Sequence, residues 1–354
     1  MTDARAESSP APPHESSSAP PDPAPATPSP PPGLPGGRKR PSGLAPGARV
    51  GVVAPSGPVR DRARAEAGLR TLGAEGYVLE VDPGCWEVHG YLAGPDEARA
   101  ESLLRALERP DLDAIVCLRG GYGAGRTAAA LDLDRLRALR GAPPKVFLGF
   151  SDVTVLHAVL AAELSWVTYY GPVVTTLAEP TPYTMASLRA VLAGRDGLEV
   201  RQAPDRPATR ALAGGKAEGV LSGGCLALLD WLVATPWEPS FAGAILCLED
   251  VGCEPYEIDR YVSHLVVSGR LAGVAGVVVG EHAGCEPAGE EPSQTLEEIY
   301  TELLAPLGVP VLFDLPIGHG AHQATLPLGV AAELDADAGV LRLLEPATEP
   351  VTSG

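Results

Sequence analysis

Residues 112–152 read LDAIVCLRGGYGAGRTAAALDLDRLRALRGAPPKVFLGFSD. AIVCL is a short apolar run that ends in glycines, TAAALDLDRLRAL has helical spacing, and KVFLGFSD is a second apolar run stopped by a Ser-Asp pair. Apolar runs without polar alternation are strands buried on both faces, and two of them joined through a helix form a parallel βαβ unit. The alternation extends outward from this stretch. Upstream lie the strand ARVGVVAPSG, a helical pattern from Arg60 to Glu75, the strand YVLEVDP and the helix DEARAESLLRALE; downstream, VTVLHAVLAAE is helical. An α/β fold with a mostly parallel sheet follows, and such sheets hold ligands in the loops at the carboxyl ends of their strands. Three loops converge there: APSG, RGGYGAG and FSD.

From about Pro180 the alternation weakens, and residues 181–210 read as a linker. A second α/β region over 211–346 carries EGVLSGGCLALLDWLV, the strand AILCLED, the helix IDRYVSHLVVSGRL, the strand GVAGVVVGEH, a helix near Gln294 to Leu304, and PVLFDLPIGHG. PLGVAAELDADAGVLRLLE closes it as two strands around a turn, and no internal repeat of fixed period is present. The first domain is expected over 47–180. Residues 1–46, with fourteen of the 37 prolines, lack the large apolar side chains that offset ordering entropy, so they are expected to form a disordered tail. A second short tail is expected over 347–354.

Lys and Arg number 27 against 45 Asp and Glu, for a net charge of −18. That field repels polyanions, which argues against nucleic-acid and anionic-membrane partners. No apolar run approaches the roughly 18 residues that span a bilayer, and the amino-terminal stretch has neither the basic start nor the apolar core of a secretory signal. Six scattered cysteines form no CxxC pair, so a reduced, cytoplasmic setting is expected and no metal or other cofactor. The closest histidines, His319 and His322, have no acidic third ligand nearby.

Four strand-to-loop junctions could carry chemistry. Gly149-Phe150-Ser151-Asp152 puts a serine at a tight strand-to-helix turn, where its hydroxyl stands clear of the backbone and the next N–H opens a helix. Val153 replaces the second glycine of a GxSxG elbow, and helix capping by Ser151 or Asp152 is the competing reading. Arg119-Gly120-Gly121-Tyr122-Gly123 exposes backbone N–H groups but lacks the GK[ST] ending of a phosphate loop, leaving an oxyanion or carboxylate contact, or a plain crossover turn. Glu249 follows Ile245, Leu246 and Leu248, so it is expected to be partly buried and to need a partner. His319, between two glycines after an apolar strand, is the histidine best placed to act as a base. A serine hydroxyl needs a base to take its proton, and the base needs an acid to fix its tautomer, so Ser151, Glu249 and His319 form a coherent set.

The combination resembles the LD-carboxypeptidase family of serine peptidases, which also includes the microcin C immunity peptidases. The similarity covers about Arg49 to Glu345 and is carried by RVGVVAPSGPV, HGYLAGPDEARA, CLRGGYGAGR, FLGFSDVTVLH, YYGPVV, LSGGCLALL, LCLEDVGCEPYEIDR and LPIGHGAHQATLPLG. It implies a Rossmann- or flavodoxin-like amino-terminal domain, a smaller carboxyl-terminal domain with short strands, and a site between them. The resemblance places the nucleophile on Ser151, the acid on Glu249 and the base on His319. It also assigns the oxyanion hole to the N–H groups of Asp152 and Gly121. Arg119, Gly120 and Tyr122 then fall against the substrate. Cys225 stands where the family often has Asn.

The implied substrate is a murein tetrapeptide that loses its terminal D-Ala during cell-wall recycling, and the family tends to form homodimers. Two alternatives remain at this level. One is cleavage of aminoacyl-nucleotide conjugates, for which Trp231 and Trp237 are the candidates to stack a base. The other is a non-catalytic module that binds a small ligand.

Overall fold

Val50, Val52 and Val53 of the first strand, all of Ala114–Cys117 and all of Val146–Gly149 are buried. In a computed structural model, which describes residues 37–350 apart from 288, 290 and 291, these runs form the middle of a sheet. The first half of the chain runs β1 (Arg49–Val53), α1 (Arg62–Gly73), β2 (Val78–Val81), α2 (Asp96–Glu108), β3 (Ala114–Cys117), α3 (Ala124–Ala129), α4 (Leu133–Ala138), β4 (Val146–Gly149), α5 (Thr154–Leu164) and β5 (Thr168–Tyr170). The second half runs α6 (Pro182–Leu192), β6 (Glu199–Val200), β7 (Arg210–Ala213), β8 (Lys216–Cys225), α7 (Leu226–Leu232), β9 (Ala244–Glu249), α8 (Pro255–Val267), β10 (Gly276–Glu281), α9 (Leu296–Leu304), β11 (Val311–Gly318), β12 (Leu326–Leu328), β13 (Ala331–Asp335) and β14 (Val340–Leu343).

The first sheet has the order β12-β5-β4-β3-β1-β2. Strands β1 to β5 are parallel, and β12 joins β5 antiparallel. The 2-1-3-4-5 order is that of flavodoxin-like folds, whose topological switch point lies between β1 and β3. The loops after β1 and β3 flank that point, and the Ser151 turn follows β4 next to them.

The second sheet has the order β6-β14-β13-β8-β9-β10-β11-β7. Its central strands β8, β9, β10 and β11 are parallel, with antiparallel strands on either side. Cys225, Glu249, Glu281 and Gly318 are the last residues of those four parallel strands. One end of the second sheet therefore gathers the residues that the sequence scatters over nearly a hundred positions.

Several boundaries differ from those expected. The single helix expected over TAAALDLDRLRAL is two, because the Asp132 carboxylate accepts from the N–H groups of Asp134 and Arg135 and starts α4 afresh. The stretch 181–210 is not a bare linker: it holds α6 and β6, and β6 pairs with β14. Residues 1–36 and 351–354 of the expected tails lie outside the described residues, but the remainder of both tails is packed. The Lys39 N–H donates to the Ser165 carbonyl, the Leu44 N–H to Leu192, and the Glu349 N–H to Pro41. Leu44, Ala347 and Thr348 are buried. The second sheet, with eight strands against six, is the larger by strand number. β12 also crosses from the second half of the chain into the first sheet, so the region 211–346 does not close on itself.

Candidate active site

Ser151 takes a φ of 65°, a left-handed conformation that costs a non-glycine residue about 1–3 kcal/mol and is concentrated at functional sites. The chain leaves β4, makes one 3-10 turn over Ser151–Val153 and enters α5. Neither Ser151 nor Asp152 caps α5 with its side chain, so the capping reading does not hold. The Asp152 carboxylate is buried and instead accepts from the Ala124 N–H at 2.7 Å, at the start of α3. Burial raises its pKa, and the Ala124 bond opposes that shift. This contact pins the turn to the far end of the glycine loop.

The glycine loop is pinned elsewhere too. The Gly57 N–H donates to the Gly120 carbonyl at 3.2 Å. The buried Arg99 donates to the carbonyls of Pro55 and Gly123 at 2.9 and 2.8 Å, tying the loops after β1 and β3 together. These bonds leave little freedom for a plain crossover turn. A Cβ on Gly120 would lie 3.0 Å from Ser151 Cβ and 3.2 Å from its Oγ, so the loop backbone approaches the serine as closely as glycine allows. Among the described residues, the N–H groups of Gly121 and Asp152 have no hydrogen-bond acceptor.

His319 faces this turn from the second sheet. Its Nδ1 lies 2.6 Å from Glu249 Oε2, and its backbone N–H donates to the same oxygen at 3.1 Å. Donation from Nδ1 to the carboxylate leaves Nε2 as the basic nitrogen. Glu249 is 1% exposed. Its other oxygen accepts from the Tyr170 hydroxyl, which in turn accepts from the Ser151 N–H at 3.1 Å. Burial, then the Glu249 charge, pushes the Tyr170 pKa well above its usual range, so the tyrosine remains a neutral donor. The ring of Phe150 packs 4.7 Å, centroid to centroid, from that of His319. The three residues expected to act together are thus brought to one place. Ser151 and His319 share no hydrogen bond in this conformation; such bonds often tighten only when substrate binds.

Arg119 is half-buried and donates to the Pro58 carbonyl at 2.8 Å. Tyr122 is exposed, with its ring edge-on to Tyr91. Neither tryptophan considered for base stacking stands free in a loop: Trp237 lies in the turn after α7 but is buried, and Trp231 lies on α7, where its ring would meet a Cβ on Gly125 at 2.8 Å. Cys225 ends β8 beside Glu249. Its N–H donates to Thr154 Oγ1 at 3.0 Å, and its thiol lies 3.5 Å from Asp250 Oδ1. It is an internal support of the strand that ends in Glu249, with a pKa raised above the usual thiol range, chiefly by burial. Of the other histidines, buried His157 is bound to the Gly149 carbonyl, and burial lowers its pKa to about 4.

Sequence reasoning passed over Tyr170, Asp250 and Arg99. Tyr170 stood in view in the quoted block YYGPVV, but only its position at the end of β5, beside β4, reveals its role. A second omission is a near repeat: EDVGCEP at 249–255 and EHAGCEP at 281–287 share Glu, Gly, Cys, Glu and Pro. That likeness flags Glu281 as the counterpart of Glu249.

Fold and site together define a class, the two-domain serine-type hydrolases. Family models give the particular assignment: the LD-carboxypeptidase N-terminal domain matches residues 50–171 and the C-terminal domain residues 218–334. The chain belongs to the LD-carboxypeptidase family and is a serine-type carboxypeptidase. A Streptomyces coelicolor protein named as a carboxypeptidase is 45% identical over 87% of this chain and 97% of its own length. The murein tetrapeptide carboxypeptidase of Pseudomonas aeruginosa is 33% identical over 81% of this chain and 93% of its own. The microcin C7 self-immunity protein MccF of Escherichia coli is 26% identical over 83% and 92% of the two chains. MccF solved with glutamyl sulfamoyl guanosine superposes with a TM-score of 0.78 at 25% identity, covering 88% of this chain and 99% of that one. Among the described residues no helix is long and apolar enough to cross a membrane.

Proposed function

We propose that this carboxypeptidase releases the terminal D-Ala of murein tetrapeptides by acyl transfer through Ser151, His319 and Glu249. The observation that carries the reading is the path Ser151 N–H to Tyr170 hydroxyl to Glu249 to His319, which joins three chain segments into one arrangement suited to nucleophilic attack. His319 Nε2 takes the Ser151 proton as Oγ attacks the amide carbonyl. The N–H groups of Asp152 and Gly121 receive the developing oxyanion, where losing one donor costs roughly 3 kcal/mol of barrier. His319 then protonates the departing D-Ala amine, and water, deprotonated by the same nitrogen, releases the acyl group. Arg119 supplies positive charge for the peptide carboxylate, and Tyr122 forms an exposed wall.

The murein peptide is favoured over an aminoacyl-nucleotide because relatives at 33% identity are named for murein peptides and because Trp237 is buried. A reaction of this kind fits a place in cell-wall recycling. Mass spectrometry of a synthetic tetrapeptide ending in D-Ala, incubated with the wild-type chain, should show loss of one D-Ala, and Ser151→Ala should abolish it. Full release by Ser151→Ala rejects the nucleophile. Turnover of an aminoacyl-sulfamoyl adenosine with no turnover of tetrapeptide rejects the substrate.

A further inference from the structure

Gly318-His319-Gly320 lies between two carboxylates. On one side, a Cβ at Gly318 would fall on the Glu249 carboxylate. On the other, a Cβ at Gly320 would fall on Glu281, 2.5 Å from its Cδ and 2.9 Å from its Cβ. Glu249 and Glu281 are the last residues of neighbouring parallel strands β9 and β10, and each opens a copy of the near repeat E-x-x-G-C-E-P. Glu281 is 5% exposed and bonds to Arg206 Nε at 3.1 Å. The Arg206 side chain is itself 42% exposed. A buried carboxylate matched by one half-exposed cation contributes little to stability, since desolvation offsets most of the attraction. Its position against the histidine turn is a better account of why it is there.

We propose that Glu281, braced by Arg206, is a second positioning residue for His319, holding the far side of the Gly318-His319-Gly320 turn as Glu249 holds the near side. The inference rests on the reading of His319 as the base. With one carboxylate against each flanking glycine, the imidazole has a single seat. Without Glu281 the turn can rock about the Glu249 contact and carry Nε2 away from Ser151. Misplacement of a catalytic group by about 1 Å costs up to about 100-fold in rate.

The test is a double-mutant cycle read in two ways. Gly320→Ala should lower the melting temperature of the wild-type chain. In a Glu281→Ala background the same change should cost less than half as much, because the two nearest atoms, Oε2 and Cδ, are gone and the nearest approach becomes the 2.9 Å to Cβ. Equal losses in both backgrounds overturn the contact. The second readout is the rate at which a fluorophosphonate acylates Ser151, with kcat and KM for D-Ala release measured alongside. Glu281→Gln keeps the shape but not the charge that holds Arg206. It should slow acylation and kcat by about tenfold with KM within about twofold. Acylation at the wild-type rate by both Glu281→Gln and Glu281→Ala overturns the inference alone. A wild-type chain that is neither acylated nor able to release D-Ala overturns the reading of the site, and the inference with it.

Discussion

Ser151 holds its left-handed φ of 65° because its N–H has a fixed acceptor, the Tyr170 hydroxyl, and that hydroxyl is itself oriented by donating to Glu249. One buried oxygen therefore sets the direction of the Ser151 backbone and satisfies the Glu249 oxygen that His319 does not use. Tyr170→Phe removes this oxygen while keeping the ring, which packs against Phe150 and His157. The loss leaves Glu249 short of one donor in a buried site, and a hydrogen bond to a charged group is worth about 1.5–3 kcal/mol. Tyr170→Phe should therefore lower kcat by roughly 30-fold with little change in KM. Steady-state kinetics on the tetrapeptide check this, with circular dichroism to confirm an intact fold. An unchanged kcat would mean that Glu249 and the serine turn are held independently.

At the level of elements, the strands were legible because burial on both faces leaves an unbroken apolar run, as in AIVC and VFLG. The candidate site was legible where a reactive side chain coincides with a strand exit: FSD, LED and GHG all mark the end of a parallel strand. Tyr170 was not, because an aromatic residue in an apolar strand gives no local sign that its hydroxyl faces a carboxylate 79 positions away. The pairing of β12 with β5 was equally hidden, since Leu-Pro-Leu carries no signal of which sheet it will join. Glycine within a helix is a similar case, and α1 contains two with opposite meaning. Gly68 packs so closely that a Cβ would lie 1.8 Å from the Val174 carbonyl oxygen, whereas the nearest atom to a Cβ on Gly73 is Leu79 Cδ1 at 3.8 Å. Alanine has the better helix propensity at both sites. Gly73→Ala should accordingly stabilise by roughly 0.5 kcal/mol, while Gly68→Ala should destabilise by about 3 kcal/mol as backbone meets backbone. Urea midpoints of the two variants decide the matter; a stabilised Gly68→Ala would mean that α1 does not lie against Val174 in solution.

Across the whole molecule, the two sheets are joined by more than the site. The chain leaves β11, adds β12 to the first sheet and returns as β13 to the second. The described ends of the chain are also clasped together beside the first sheet. Ser42 bridges Glu349, the Gly43 N–H donates to the Glu349 carbonyl, and Arg40 pairs with Glu345 and Glu349. Lys39 extends the clasp to Trp166, just before β5, and Leu44 is buried with its N–H on the Leu192 carbonyl at the end of α6. A chain beginning at residue 37 keeps all of these contacts, and one beginning at residue 47 loses them. Burial of the leucine contributes about 1.5–3 kcal/mol. The ion pairs, all partly exposed, add no more than about 1 kcal/mol. Backbone bonds in the clasp are largely offset by the entropy of ordering ten residues. The shorter chain should therefore be less stable by about 3 kcal/mol, seen as a lower urea midpoint with the slope of the transition nearly unchanged. Identical midpoints for the two chains would show that residues 37–46 do not contribute to the fold, and that the carboxyl-terminal segment through Thr348 is held without them.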